Sequence, residues 1–240
     1  MTRRRRTLLP WVLVALGAAA GCERAEEPAA RALPAPETAV EAPAAAAERG
    51  NSSAPLVVFL GDSLTAGLGL AEEDAFPAVL ERDLRAAGRP VRVVNAGVSG
   101  DTSAGGLARL DWLLRQRPDV LVVGLGANDG LRGLRPEATR DNLRAILSRA
   151  RGAGVRVLLL GMRLPPNYGP EYTRSFAEVY PGLAAELDVP LVPFLLEEVG
   201  GRPELNLPDG IHPTAAGHRL LAATVRPYLL KLLGEPAAAR

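Results

Sequence analysis

Gly61-Asp62-Ser63-Leu64-Thr65-Ala66-Gly67 is the stretch from which the rest of the chain is read. Before it, Leu56-Val57-Val58-Phe59-Leu60 is a short apolar run, the pattern of a strand buried on both faces of a parallel sheet. After it, Leu68-Gly69-Leu70 leads to a polar helix start. The sequence thus sets a serine at the tip of a strand, between glycines. In open α/β sheets the C-terminal strand ends are where ligands bind. Glycines let the backbone turn sharply and leave the hydroxyl uncovered. Ser63 is a candidate nucleophile on this ground; the plainer role is a helix cap.

Outward from this stretch, strand and helix patterns alternate. Phe76 to Ala87 carries Val79, Leu80 and Leu84 at helical spacing and ends at Gly88. Val91 to Val94 reads as a strand, followed by Asn95-Ala96-Gly97-Val98-Ser99-Gly100-Asp101-Thr102. Leu107, Leu110, Leu113 and Leu114 form a helical stripe ended by Pro118. Val120 to Leu125 is the most apolar strand and runs into Gly126-Ala127-Asn128-Asp129-Gly130. Pro136 to Arg151 is a helix, with proline near its start and Gly152 after its end. Val155 to Leu160 is a fourth strand, and Pro190 to Phe194 a fifth. Between them, Glu171 to Leu187 is a helix interrupted near Pro181. Thr214 to Leu230 is a last helix, bent at Pro227. Such alternation predicts an α/β protein. The expected architecture is a three-layer α/β/α sandwich on a five-stranded parallel sheet, flavodoxin-like, in the order 2-1-3-4-5.

Polar residues converge on one edge of that sheet. Ser63 follows strand one, Gly100 strand two and Asn128 strand three. Asp209-Gly210-Ile211-His212-Pro213 follows strand five, just before the last helix. A serine hydroxyl is a weak nucleophile and needs a base. The chain holds two histidines, His212 and His218. His218 falls inside the last helix, where a structural role is expected. His212 lies in a loop, and Asp209 three residues before it is placed to fix the tautomer that leaves Nε2 free to take a proton. Asp62, Asp101 and Asp129 are alternative acids. Two histidines and one cysteine do not make a His/Cys zinc site. No phosphate loop or dinucleotide fingerprint is present. No metal and no cofactor is expected.

Together these blocks resemble the SGNH (GDSL) hydrolase family. They are Gly61-Asp62-Ser63-Leu64, Gly100, the Gly-x-Asn-Asp form at Gly126–Asp129, and Asp209-x-x-His212. The likeness is greatest to the bacterial branch of multifunctional acyl-CoA thioesterase I, lysophospholipase L1 and arylesterase. It is carried there by Ser99-Gly100-Asp101-Thr102-Ser103, Leu107-Ala108-Arg109-Leu110, Asn128 to Gly133 and Arg163-Leu164-Pro165-x-Asn167-Tyr168-Gly169. The resemblance covers residues 55–234. It implies Ser63, Asp209 and His212 as a catalytic triad. It implies the backbone N–H of Ser63, that of Gly100 and the Asn128 amide as an oxyanion hole. Ala127 stands where that branch has glycine, which adds a methyl expected to tighten the pocket.

Residues 1–22 read as a secretory signal. Arg3 to Arg6 precede an apolar stretch from Leu8 to Gly21, shorter than the roughly 20 residues that span a bilayer. It ends in Ala19-Ala20-Gly21-Cys22, which resembles a bacterial lipobox with Cys22 as the lipidated residue. Ala19 replaces the usual leucine, so plain signal cleavage is the alternative. Residues 23–54 are rich in Ala, Pro and Glu, show no period, and are expected to be a disordered linker. The hydrolase domain is expected over 55–234 and a short tail over 235–240. The formal charge of +1 depends on the four N-terminal arginines. Without them the chain is net acidic, which argues against a nucleic-acid partner.

The function expected is hydrolysis of thioesters, carboxylic esters or lysophospholipids through an acyl-enzyme. The alternatives are a carbohydrate or peptidoglycan O-deacetylase on the same scaffold, and a non-catalytic envelope lipoprotein. Leu131, Leu134, Leu164 and Tyr168, on loops after strands three and four, are expected to line a groove for an acyl chain. The protein is expected to be an exported monomer, periplasmic or membrane-anchored. Its expected partner is a small-molecule acyl ester or lipid substrate.

Overall fold

A computed structural model describes residues 54–234. The expected signal segment with Cys22, the linker apart from Ala54, and the tail at 235–240 lie outside the described residues. Five strands form one parallel sheet: β1 (Leu56–Gly61), β2 (Arg92–Gly97), β3 (Val120–Gly124), β4 (Arg156–Leu160) and β5 (Leu191–Val192). Their order is β2-β1-β3-β4-β5, the flavodoxin-like order read from the alternation. Every residue of β1 and β3 is buried, as continuous Val/Leu runs require when both faces of a sheet are covered. In register, Val57 stands beside Val93 on one side and Val120 on the other.

Among the described residues, seven α-helices accompany the sheet: α1 (Ser63–Ala66), α2 (Phe76–Ala86), α3 (Ser103–Leu114), α4 (Ala127–Leu131), α5 (Pro136–Gly152), α6 (Pro170–Leu187) and α7 (Ala215–Leu233). Successive side chains of a strand point to opposite faces, and β1 uses both. The Phe59 ring meets Phe76 of α2 edge-on, centroids 5.5 Å apart. Leu60, its neighbour, approaches Gly106 of α3. Helices α2 and α7 pack together, and α3, α5 and α6 pack side by side. The result is the expected α/β/α sandwich.

Several elements depart from the sequence reading. Helix α3 starts at Ser103, a turn before its leucine stripe, because the Thr102 hydroxyl accepts from Gly105 N and caps it. Strand β2 continues past Val94 to Gly97, paired with β1 up to Gly61–Gly97. The Asn95 side chain supports that extension by donating to Thr65 O at 2.9 Å. Strand β5 is shorter than expected. Helix α6 runs unbroken through Pro181. Proline removes one helical hydrogen bond, but Phe176, Val179, Tyr180 and Leu183 are buried on both sides of it. The Tyr180 hydroxyl also donates to Leu125 O at 3.1 Å. Helix α7 likewise extends through Pro227 to Leu233.

His218 has the structural role expected of it, and it is fully buried rather than on a helix surface. It is 1% exposed, and its Nδ1 accepts from Phe76 N at 3.0 Å. Helix α2 has no side-chain cap on Ala75, so a residue of α7 satisfies one of the orphan N–H groups at the start of α2. Burial pushes the His218 imidazole down to about 4, although Asp74 works the other way. The unfolded chain therefore binds the proton more readily. The stabilisation is complete above pH 6.5 and is lost as pH falls towards 4. That shift corresponds to about 3 kcal/mol. The substitution His218→Gln keeps an acceptor for Phe76 N but removes the titrating group. In urea unfolding, wild type should lose stability relative to His218→Gln between pH 7 and pH 4.5. Parallel pH profiles for the two proteins would exclude this account.

Candidate active site

Ser63 is the first residue of α1, a single turn set directly on the strand ends. The Asp62 carboxylate caps that turn, accepting from Leu64 N at 3.0 Å. Two glycines make the seat. A Cβ on Gly61 would lie 1.9 Å from Thr65 Oγ1, and one on Gly97 would lie 2.2 Å from Ala66 N. Gly67 closes the turn in the left-handed region, with φ of 76°, its N–H donating to Ser63 O.

The loop before α7 folds back on itself. Asn206 bridges Pro213, Leu207 N donates to His212 O at 2.7 Å, and Gly210 N donates to Leu207 O at 2.9 Å. The Asn206 amide donates to Val199 O and Arg202 O, both at 2.8 Å. Within this loop Asp209 Oδ1 accepts from Ile211 N and His212 N, each at 3.0 Å. Asp209 Oδ2 lies 2.7 Å from His212 Nδ1. The backbone N–H of His212, then that of Ile211, and then the imidazole hold Asp209 down at about 2. A carboxylate on Nδ1 keeps the proton there, so Nε2 is the acceptor. Nε2 lies 2.9 Å from Ser63 Oγ. Asp209, His212 and Ser63 thus form one continuous hydrogen-bonded line.

The alternative acids are engaged elsewhere. Asp101 pairs with Arg109 at 2.8 Å. Asp129 is buried and accepts from Ser103 N at 2.8 Å and from the Ser103 hydroxyl. Asp62 caps α1. Gly100 has φ of 78°, and a Cβ there would meet only Arg132 Nη2 at 3.7 Å. Conformation, not protein crowding, accounts for glycine at this position. Among the described residues, no acceptor is paired with the amide N–H of Ser63 or of Gly100. The Asn128 amide nitrogen donates to Asp101 O at 2.9 Å and lies 3.5 Å from Asp62 Oδ2. Ala127, beside Asn128, is partly buried and packs against the core.

The four expected groove residues separate into two groups. Leu131, Leu164 and Tyr168 are partly buried. The Tyr168 hydroxyl donates to Leu131 O at 3.1 Å, tying the two loops together, and Leu164 lies over Gly130 of α4. Leu134 is exposed. Sequence reasoning missed three further exposed apolar residues on loops of this edge: Leu68, Val98 and Ile211. Each lies within five residues of Ser63, Gly100 or His212. Among the described residues, no cluster of three or more His, Cys, Asp or Glu side chains is arranged to hold a metal.

Asp62 lies in an environment unfavourable to its charge. It is 2% exposed, and burial pushes it up to about 6 despite the hydrogen bond from Leu64 N. The folded protein therefore holds this proton more tightly than the unfolded chain. Asp62 favours folding below pH 3.8, and that contribution is lost as pH rises through 6. The substitution Asp62→Asn removes the titrating group. The stability of Asp62→Asn relative to wild type should accordingly be about 1 kcal/mol greater at pH 8 than at pH 5. Urea unfolding at the two pH values measures this, and an unchanged difference would refute it.

With the geometry established, comparison with known proteins identifies the lineage. Residues 59–220 match the GDSL-like lipase/acylhydrolase family. The chain is 47% identical over 183 residues to esterase TesA of Pseudomonas aeruginosa, covering 76% of this chain and 91% of that protein. It is 45% identical over 185 residues to thioesterase 1/protease 1/lysophospholipase L1 of Escherichia coli K12, covering 77% and 88%. A crystal structure of TesA superposes with a TM-score of 0.72 at 47% identity, covering 74% of this chain and 99% of that one. Sequence and fold agree, and the chain belongs to the GDSL-like lipase/acylhydrolase family.

Proposed function

We propose that this protein is an exported serine esterase that cleaves thioesters, carboxylic esters or lysophospholipids through an acyl-enzyme. The observation that carries the reading is the line Asp209–His212–Ser63, at 2.7 and 2.9 Å. Ser63 Oγ attacks the acyl carbonyl as His212 Nε2 takes its proton. The ionised Asp209 holds the ring and offsets the positive charge that develops on it. The carbonyl oxygen becomes an oxyanion that receives hydrogen bonds from the N–H of Ser63, the N–H of Gly100 and the Asn128 amide. The unpaired state of both backbone N–H groups supports that role. His212 then gives its proton to the departing alkoxide or thiolate, leaving the acyl group on Ser63. Water, deprotonated by His212, releases the acid and restores the serine.

The acyl chain is proposed to lie along the apolar edge formed by the loops carrying Leu131, Leu134, Leu164 and Tyr168. Exposed Leu68, Val98 and Ile211 extend that edge. That the similar P. aeruginosa and E. coli proteins are an esterase and a thioesterase/lysophospholipase supports the substrate class. Each buried methylene contributes about 0.8 kcal/mol, so kcat/KM should rise with acyl length until the edge is covered. A fluorophosphonate probe should label Ser63, and Ser63→Ala should abolish turnover while remaining folded. Octanoyl p-nitrophenyl ester should outcompete acetyl, and Leu68→Gln combined with Leu134→Gln should narrow the margin. Labelling at another residue would overturn the nucleophile assignment. Preference for acetyl would favour the O-deacetylase.

Export is proposed from the arginine cluster, the apolar stretch and the small residues before Cys22. Cys22 is the proposed lipid attachment point. In a bacterial host, Cys22→Ser should move the protein from the membrane fraction to the soluble periplasmic fraction. A wild-type protein already soluble, with its N-terminus elsewhere, would rule out the anchor.

A further inference from the structure

We propose that Arg109 is a positioning residue that holds the Gly100 and Asn128 oxyanion donors in place. The inference rests on the oxyanion-hole reading given above. Arg109 projects from α3 to the point where three segments of the site meet. Its Nη2 donates to Gly61 O at 2.9 Å, at the end of β1 and two residues before Ser63. Its Nη1 donates to Ala96 O at 2.6 Å, at the end of β2. Its Nε donates to Asp101 Oδ2 at 2.8 Å. Asp101 directly follows Gly100, and its carbonyl oxygen accepts the Asn128 amide at 2.9 Å. One planar cation therefore fixes the segment carrying the Gly100 N–H to the strand that leads to Ser63. Through Asp101 it also fixes the acceptor that orients Asn128.

The surroundings are fitted to this arrangement. The side chains of Arg109 and Asp101 are 23% and 11% exposed, so the pair is only partly screened by water. Charge-assisted bonds are strongest in such places. Gly105 leaves room for the Asp101 carboxylate, since a Cβ there would fall 1.8 Å from Asp101 Oδ1. Oδ1 in turn accepts from Thr102 N at 3.0 Å. Guanidinium presents several donors in a fixed fork, whereas an ammonium is a single point. Arg109→Lys would keep the charge without spanning Gly61 O, Ala96 O and Asp101 at once. Without the clamp, the segment from Val98 to Thr102 can shift, and a displacement of about 1 Å at a reacting centre costs on the order of 10²-fold.

The test is a double-mutant cycle on p-nitrophenyl octanoate. It uses wild type, Arg109→Met, Asn128→Ala and the double variant, with Arg109→Lys alongside and the folded fraction of each measured by circular dichroism. Asn128→Ala should lower kcat by on the order of 10²–10³, as loss of one oxyanion donor does. Arg109→Met should lower kcat about 10- to 100-fold, in line with a misplaced donor, while KM changes less than about threefold. In the Asn128→Ala background the same substitution should cost much less, because one of the donors it positions is already gone. Arg109→Lys should fold and show an intermediate kcat. It carries the test if Arg109→Met does not fold. Equal costs in both backgrounds, an effect on KM alone, or full activity in folded Arg109→Lys would overturn the inference. Failure of wild type to turn over ester or to be labelled at Ser63 would remove the reading beneath it. Normal wild-type labelling with undiminished Arg109 variants would remove this inference alone.

Discussion

The first turn of α1 rests on the ends of β1 and β2 only because Gly61 and Gly97 carry no Cβ. Either added carbon would overlap Thr65 or Ala66 at well under van der Waals distance. That close approach fixes where Ser63 begins its turn, and hence where its hydroxyl emerges. Beneath it, Val57 to Leu60 and Val120 to Val123 are almost wholly excluded from solvent, so the strand ends supporting the turn cannot drift without disturbing the core. A site built at the junction of packed strands is more rigid than one carried by loops. His212 is on a loop, but one closed by its own hydrogen bonds and by the Asn206–Pro213 bridge.

Much of this was legible in the sequence because it is written locally. Valine-rich runs marked β1 and β3, and turn glycines marked their ends. The spacing of Asp209 and His212 is a property of four consecutive residues, and so was visible without the fold. The contact between His212 and Ser63 joins positions 149 residues apart. It was inferable only after strand alternation had put both segments on one edge. Pro181 misled because local propensity opposes a continuous helix there, while the buried residues flanking it supply the packing that overrides it.

What remained hidden are the residues that act through others. Arg109 lies in a leucine stripe and looks like the solvated face of α3, yet its guanidinium reaches two strand ends. Asp129 was one of several candidate acids. It proves to be buried under Ser103, joining the start of α3 to α4, the helix that carries Asn128. No spacing rule marks either role, because each depends on where a different segment ends. The same holds for His218, whose helical position was plain but whose partner on α2 lies 142 residues away.

Burial acts oppositely on two groups near this edge. It pushes Asp62 up and His218 down, so as pH falls the first group gains stabilising influence while the second loses it over an overlapping interval. In mild acid the contributions of these two groups to stability therefore oppose each other. At neutral pH the ionised Asp62 is a net burden on the fold, and a neutral side chain could still cap α1. Its charge has a counterpart in the proposed chemistry. Asp62 and His212 interact favourably when the ring is protonated, and a protonated ring is what forms as Ser63 attacks. The same charge lies near Asn128 and opposes an oxyanion there. Asp62 thus favours one developing charge and disfavours the other, at the expense of stability. This is the kind of local conflict that folded proteins concentrate at functional sites.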